Sequence, residues 1–219
     1  DPVNGNDYLN DGSENSPFYT IKNTLPKVVG TPTNPVTIYL AEGTYSPSTN
    51  GEIFPLEMIS YVNLIGQGEE ITILDAARPL HLSTVLIIDN CINNTISMLS
   101  IIKGFAGGGP VSNLDGGGMH ISSSNPILSH ITFRDNLAAY GGALFLNGSS
   151  PLITNVTIRN NEATEAGGGR DPVAGDLEDA GQPARRIAQR HAVDAASTDP
   201  LPGSRQSATQ DDVCRRPGR

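Results

Sequence analysis

Apolar and polar residues alternate in short runs through most of positions 1–169. Met119 and Ile121 flank His120, Ile131 and Phe133 flank Thr132, and Val156 and Ile158 flank Thr157. A two-residue period predicts short strands with one buried face. Gly pairs, Ser-Asn-Pro and Asn-Asn punctuate these runs, so none is long enough for a helix. Upstream the same reading gives candidate strands at 36–40, 61–65, 71–74, 85–89 and 96–102. Between 20 and 29, Ile21, Leu25 and Val28 instead recur at helical spacing. That predicts a short amphipathic helix covering the first coil of whatever the strands build.

The alternation repeats. Positions 116–140 align with 141–165 without a gap, a period of 25. Identical pairs are Gly116/Gly141, Gly117/Gly142, Ser124/Ser149, Pro126/Pro151, Thr132/Thr157, Arg134/Arg159, Asn136/Asn161 and Ala138/Ala163. Character is kept at Met119/Leu144, Ile121/Leu146, Ile127/Leu152, Leu128/Ile153, Ile131/Val156 and Phe133/Ile158. An earlier copy, LSIIKGFA at 99–106, resembles ITFRDNLA at 131–138 with a spacing of 32. The excess falls in the Gly-rich stretch 107–115, expected as a loop extruded from the wall. A third repeat begins at Gly167-Gly168 and breaks off.

A 25-residue unit of strands and turns cannot bury its own apolar face, but a stack of such units can. Equivalent strands then pair in parallel about 4.8 Å apart and like residues pile into ladders. Asn136 over Asn161 is expected to hydrogen-bond along one ladder. The fold class is therefore all-β, a right-handed parallel β-helix with a short N-terminal capping helix; handedness follows the usual crossover sense of parallel strands. Residues 1–35 form the entry and cap, and 36–169 the coils.

Composition changes at residue 170. Positions 170–219 hold no Asn, no Lys, no aromatic residue and one Ile, against 18 Asn and 18 Ile before them. Eight of the 14 basic residues lie there, all Arg, balanced by eight acids; the first 169 residues hold six basic and fifteen acidic residues and so the whole net charge of −9. This tail is expected to be poorly ordered, with at most a weak helix at 184–196, and to derive from a frameshifted or chimeric end or from an Ala/Pro/Arg linker.

Several segments resemble a known group. Asn4-Gly5-Asn6-Asp7, Asn10-Asp11-Gly12-Ser13 and Ser16-Pro17-Phe18-Tyr19-Thr20-Ile21 resemble the opening of secreted bacterial and archaeal right-handed β-helix proteins of the pectin-lyase-like superfamily. Ala41-Glu42-Gly43-Thr44-Tyr45 looks like their turn after the first strand, and Asn63-Leu64-Ile65-Gly66 with Thr72-Ile73-Leu74-Asp75 like their second coil. Gly-Gly-Ala-Leu-Phe-Leu at 141–146 and Ile-Arg-Asn-Asn-Glu-Ala at 158–163 are similar to the repeats of polymorphic outer-membrane and adhesin-like surface proteins. The resemblance covers 1–169. It implies an extracellular or cell-surface location, while the superfamily mixes lyases, hydrolases and non-enzymatic surface proteins.

Candidate chemistry is sparse. Superfamily lyases use clustered Asp residues for calcium beside an Arg or Lys base; the nearest match here is Arg134, Asp135 and Arg159, but Asp135 is answered by Asn160 one repeat later. The paired Asp, Asn-Thr-Asp and Gly-His-Gly motifs of the hydrolases do not occur. His120 and His130 are answered by Phe145 and Asn155, so each reads as a lone surface histidine. Asp7, Asp11 and Gly12 match positions 1, 5 and 6 of a calcium loop, but Leu9 and Phe18 stand at 3 and 12; turn formation is the better account. Calcium is the only cofactor the sequence raises. Cys91 reads as a small buried hydrophobe. The Gly runs at 107–109 and 116–118 lack the Lys-Ser/Thr of a phosphate loop and read as turns.

The acidic balance argues against nucleic acid and anionic membranes as partners, and no apolar run approaches the roughly 18 residues of a membrane helix. Two function classes follow. One is a non-catalytic, monomeric, adhesin-like module that contacts a glycan or another surface ligand. The other is the N-terminal part of a carbohydrate-active enzyme, a polysaccharide lyase or glycoside hydrolase. The missing carboxylate cluster favours the first, and no catalytic, cofactor or metal residue is assigned.

Overall fold

The computed structural model describes residues 1–78, 83–106 and 115–164. Within the described residues the chain is a parallel β-helix. The expectations for the loop at 107–114, the third repeat at 167 and the tail from 170 lie outside them.

After a helical turn α1 (Ile21–Thr24) and a 3-10 turn (Leu25–Lys27), the strands are β1 (Val36–Tyr39), β2 (Gly43–Tyr45), β3 (Leu56–Glu57), β4 (Val62–Ile65) and β5 (Thr72–Asp75). They continue as β6 (Leu86–Asp89), β7 (Thr95–Ile102), β8 (Phe105–Ala106), β9 (Met119–Ser122) and β10 (Ile127–Arg134). The last are β11 (Leu137–Ala138), β12 (Leu144–Asn147), β13 (Leu152–Arg159) and β14 (Glu162–Ala163). Every pairing between them is parallel. One sheet runs β1-β4-β7-β10-β13 with β2 and β5 alongside, a second β3-β6-β9-β12, and a third β8-β11-β14.

The register is the one the repeat predicts. Met119 lies beside Leu144, Ile121 beside Leu146, Ile131 beside Val156 and Phe133 beside Ile158. The 32-residue copy is in register too, with Leu99 beside Ile131 and Ile101 beside Phe133. These side chains form one continuous core with Leu56, Leu64, Leu74, Leu86 and Ile96. Burial of such stacked aliphatic columns supplies the main favourable free energy of the fold.

The eight-residue strands are not straight. In β10, Leu128 and Ile131 are both buried while Ile127 is 42% exposed, a three-residue spacing that strict alternation forbids. The slip is taken up by one left-handed residue per coil: Met98, His130 and Asn155, with φ of 59, 52 and 50°. A second column of left-handed residues, Lys103, Asp135 and Asn160, closes the same strands (φ 54, 59 and 54°). None is β-branched, as that conformation demands. The wall therefore turns at these two columns. Beyond the second, Asn136 is fully buried and bridges Ile101, Gly104 and Asn161 of the flanking coils.

The cap forms where helical spacing placed it, though as one α turn and one 3-10 turn. Ile21 and Leu25 pack onto the core. Thr20 caps the turn by accepting from Asn23 N. Glu52, 1% exposed, accepts from Ile21 N at 2.7 Å and Lys22 N at 2.9 Å. The cap is thus held by a carboxylate from a loop 30 residues on.

Candidate functional site

Chemistry on a β-helix wall is set by which outward side chains the register stacks. Three outward neighbourhoods of the wall bear on function.

The first lies on the sheet β3-β6-β9-β12, where Glu57, Ile87, His120 and Phe145 form one outward column. His120 is not the surface residue expected: it is 8% exposed. Its ring stacks under that of Phe145, with centroids 5.3 Å apart and an interplanar angle of 28°. Its Nδ1 lies 2.9 Å from the carbonyl oxygen of Asp115. Phe145 occupies the equivalent place one coil on, so the pair makes an aromatic face on the outer wall.

The second lies on the face of β7, β10 and β13. Outward hydroxyls stack as Ser97, Ser129, Thr154 and as Ser100, Thr132, Thr157. The turn before β5 folds over two of them: Ser100 Oγ donates to Glu69 O at 2.6 Å, and Thr132 is buried. Oxygen Oε1 of Glu69 is buried without a hydrogen-bond partner. Burial pushes the Glu69 carboxyl above its usual range, against the opposing pull of His130. His130 itself stands at a left-handed corner, with Nε2 2.9 Å from Asn155 Nδ2.

The third is the corner after β5, β7, β10 and β13. Arg134 and Arg159 share a column with Ile102, as the repeat implied. Arg134 Nη1 donates to Asp135 Oδ2 at 2.9 Å, and Lys103 pairs with Asp75 at 2.7 Å. The column-mates of Asp135 are Lys103 and Asn160, so this corner sets a carboxylate beside cations rather than beside a second carboxylate. Among the described residues there is no group of three or more His, Cys, Asp or Glu side chains that could hold a metal ion.

Asp7 and Asp11 part company. Asp11 accepts from Ser13 N, a local turn as expected. Asp7 reaches across to the cap instead, its Oδ1 accepting from Tyr19 N and Thr20 N and its Oδ2 from Thr20 Oγ1 and Asn23 Nδ2. Partial burial works against the Asp7 charge, but these hydrogen bonds prevail and hold its pKa below the ordinary value. At that point of the chain the turn is formed by the neighbouring Asn6, whose side chain accepts from Tyr8 N and Leu9 N. Cys91 is buried, with Sγ 3.2 Å from Met58 O, and burial raises its pKa.

Glu52, Glu69 and the His120–Phe145 stack were not singled out by sequence reasoning. Glu52 and Glu69 lie outside the 25-residue repeat, in loops that reach across to the cap and to the face of β7 and β10, whereas the repeat does align His120 with Phe145 but does not show that the two rings stack. No helix among the described residues is long and apolar enough to cross a membrane. A family described as a protein of unknown function (DUF1565) matches residues 3–170. No curated protein and no solved structure matches the chain.

Proposed function

For this chain, which belongs to the DUF1565 family and builds a stacked wall of parallel coils, we propose a role as a non-catalytic, adhesin-like module of the cell surface or extracellular space. In this reading it resembles the non-enzymatic branch of the pectin-lyase-like superfamily and contacts a glycan through its outer wall. The observation that carries the proposal is the contrast between inner and outer columns. Inward positions stay apolar from coil to coil, whereas the outward column of the second sheet changes chemistry at each step: Glu57, Ile87, His120, Phe145. Such a wall supports display of varied contacts on a rigid frame. It gives little support to a repeated acid–base constellation. The Phe145 ring offers a flat apolar surface of the kind that stacks on a sugar face.

Arg134 and Asp135 neutralise each other, and the second carboxylate that a calcium-assisted lyase would need is replaced by Asn160. Incubation with neutral and uronic-acid polysaccharides, with and without calcium, is expected to release neither reducing ends nor unsaturated product. Calcium-dependent release abolished by Arg134→Ala would overturn the proposal.

One observation favours the enzyme alternative. Glu69 combines a carboxyl raised by burial with a neighbouring His130, a pairing found at acid–base sites. Turnover lost in Glu69→Gln, in a protein that still folds, would promote it.

A further inference from the structure

Three Asn-Gly pairs occur in the chain, Asn4-Gly5, Asn50-Gly51 and Asn147-Gly148, and the fold sets each in a different environment. An asparagine before glycine can close on itself: the glycine nitrogen attacks the asparagine Cγ, and no side chain on the glycine hinders the approach. The reaction needs a free nitrogen and a side chain free to swing onto it. Asn4-Gly5 lacks the first, because Gly5 N donates to Asp1 O at 3.1 Å; Asn4 Nδ2 donates to Asp1 Oδ2 at 3.3 Å as well. Asn50-Gly51 lacks the second. Asn50 is 3% exposed, its Oδ1 accepts from Ser46 N at 2.9 Å, and its Nδ2 donates to Tyr19 O at 3.0 Å. Asn147-Gly148 has both. Asn147 is exposed at the end of β12, and Gly148 follows it in the turn. Neither the Asn147 side chain nor Gly148 N has a hydrogen-bond partner among the described residues. Gly148 is left-handed, with φ of 58°, and nothing lies within 4 Å of where a Cβ would stand.

From this contrast we propose that Asn147 is a self-modification site, converted in the folded protein to aspartyl and isoaspartyl residues while Asn4 and Asn50 are spared. Gly148 N bonds to Asn147 Cγ, the Cγ–Nδ2 bond breaks, and Nδ2 leaves as ammonia with the proton that Gly148 N gives up. Water then opens the five-membered imide at one or other carbonyl. One opening yields an aspartyl residue; the other routes the main chain through the former side chain and frees the α-carboxylate. Either product adds a negative charge. On β12 that charge lies two residues from Phe145 on the outward side, in one column with Ser122 and Asp89. The isoaspartyl product also displaces the Asn147 carbonyl, which accepts from Ser123 N at 2.9 Å and from Ser149 Oγ at 3.0 Å. The site needs no glycan, and it stands whether or not the wall is a contact surface.

The full chain is incubated at mildly alkaline pH, once folded and once in urea, and each Asn-Gly pair is followed by peptide mapping with mass spectrometry. The three pairs fall on different tryptic peptides, with Asn147 on 135–159. In the folded protein Asn147 is expected to react about tenfold or more faster than Asn4 or Asn50, the factor set by a hydrogen bond that must first break at each of those sites. In urea the three rates should converge. A methyltransferase specific for isoaspartyl carboxylates should label peptide 135–159 of the aged, folded protein and leave that peptide of Asn147→Gln unlabelled. Asn147 reacting as slowly as the other two in the folded state would overturn the site. The same preference for Asn147 in urea would credit local sequence rather than the fold and overturn it too. Label persisting on peptide 135–159 of Asn147→Gln would assign the reaction to another residue, with the same consequence.

Discussion

Asn136 Nδ2 donates to Asn161 Oδ1 at 2.9 Å across one 25-residue step of the helix. The same amide donates to Ile101 O in the preceding coil and accepts from Gly104 N, so a fully buried side chain joins three layers. Asn161 begins the next rung by donating to Phe133 O. A buried amide in such a ladder stabilises chiefly because removing it strands its partners.

Asn136→Ala leaves the Gly104 N–H and the Ile101 carbonyl without that partner. The expected loss is about 2–4 kcal/mol, read as a lowered denaturant midpoint with unchanged slope. Asn161→Ala, nearer the open end, should cost less. Equal and small effects would show that the ladder contributes little.

The inner and outer columns should separate sharply. Phe133→Ala opens a cavity in a fully buried site and is expected to cost about 3–5 kcal/mol. Ile127→Ala lies on the outer face beside Leu152 and should stay within about 1 kcal/mol. Thermal unfolding of the two variants checks the assignment, and a reversed order would contradict it.

Two carboxylates of the cap should respond to pH in opposite senses. Burial raises Glu52 above its ordinary 4.5, so its contribution is fully present below that value and is lost as pH rises through the folded pKa. Wild type should therefore lose ground to Glu52→Gln as pH increases from about 4.5 towards neutrality. Asp7 is held below its ordinary 3.8. Its contribution is present above 3.8 and is lost as pH falls through the folded pKa, so the advantage of wild type over Asp7→Asn should shrink in acid. Unfolding free energies across a pH series give both slopes, and parallel curves for wild type and variant would exclude the linkage.

Cys91 should be inert in the folded state, since its thiol is buried and its pKa raised. In a Cys214→Ser background, thiol reagents should label it only on unfolding. Rapid labelling of native protein would place it in an open part of the fold.

Much of this was legible in the chain. The Gly116/Gly141 repeat carried the fold class, the register of Met119 on Leu144, and the Asn136–Asn161 rung, because stacked coils impose one chemistry on each inward column. The phase slip at His130 was not legible. Periodicity reads Ile131–Phe133 correctly but cannot see that Leu128, three positions earlier, also points inward across a left-handed corner. His120 was misplaced although the period aligned it with Phe145: the absence of a second histidine in that column was read as exposure, whereas the aromatic ring one coil on stacks over the imidazole and buries it. The charged corner was half visible. Arg134 over Arg159 follows from the 25-residue period, whereas Lys103 needs the 32-residue step.

Every placement on the wall depends on the strand register, and disulfide trapping tests it most directly. Ser129 and Thr154 are outward partners on β10 and β13, within the Cα separation a disulfide spans, about 4.4–6.8 Å. In a background lacking Cys91 and Cys214, Ser129→Cys/Thr154→Cys should oxidise to an intramolecular disulfide without loss of the folded signal. Ser129→Cys/Thr157→Cys, three residues out of register, should remain reduced. Closure of the second pair in preference to the first would contradict the stacked coils, and with them the aromatic face.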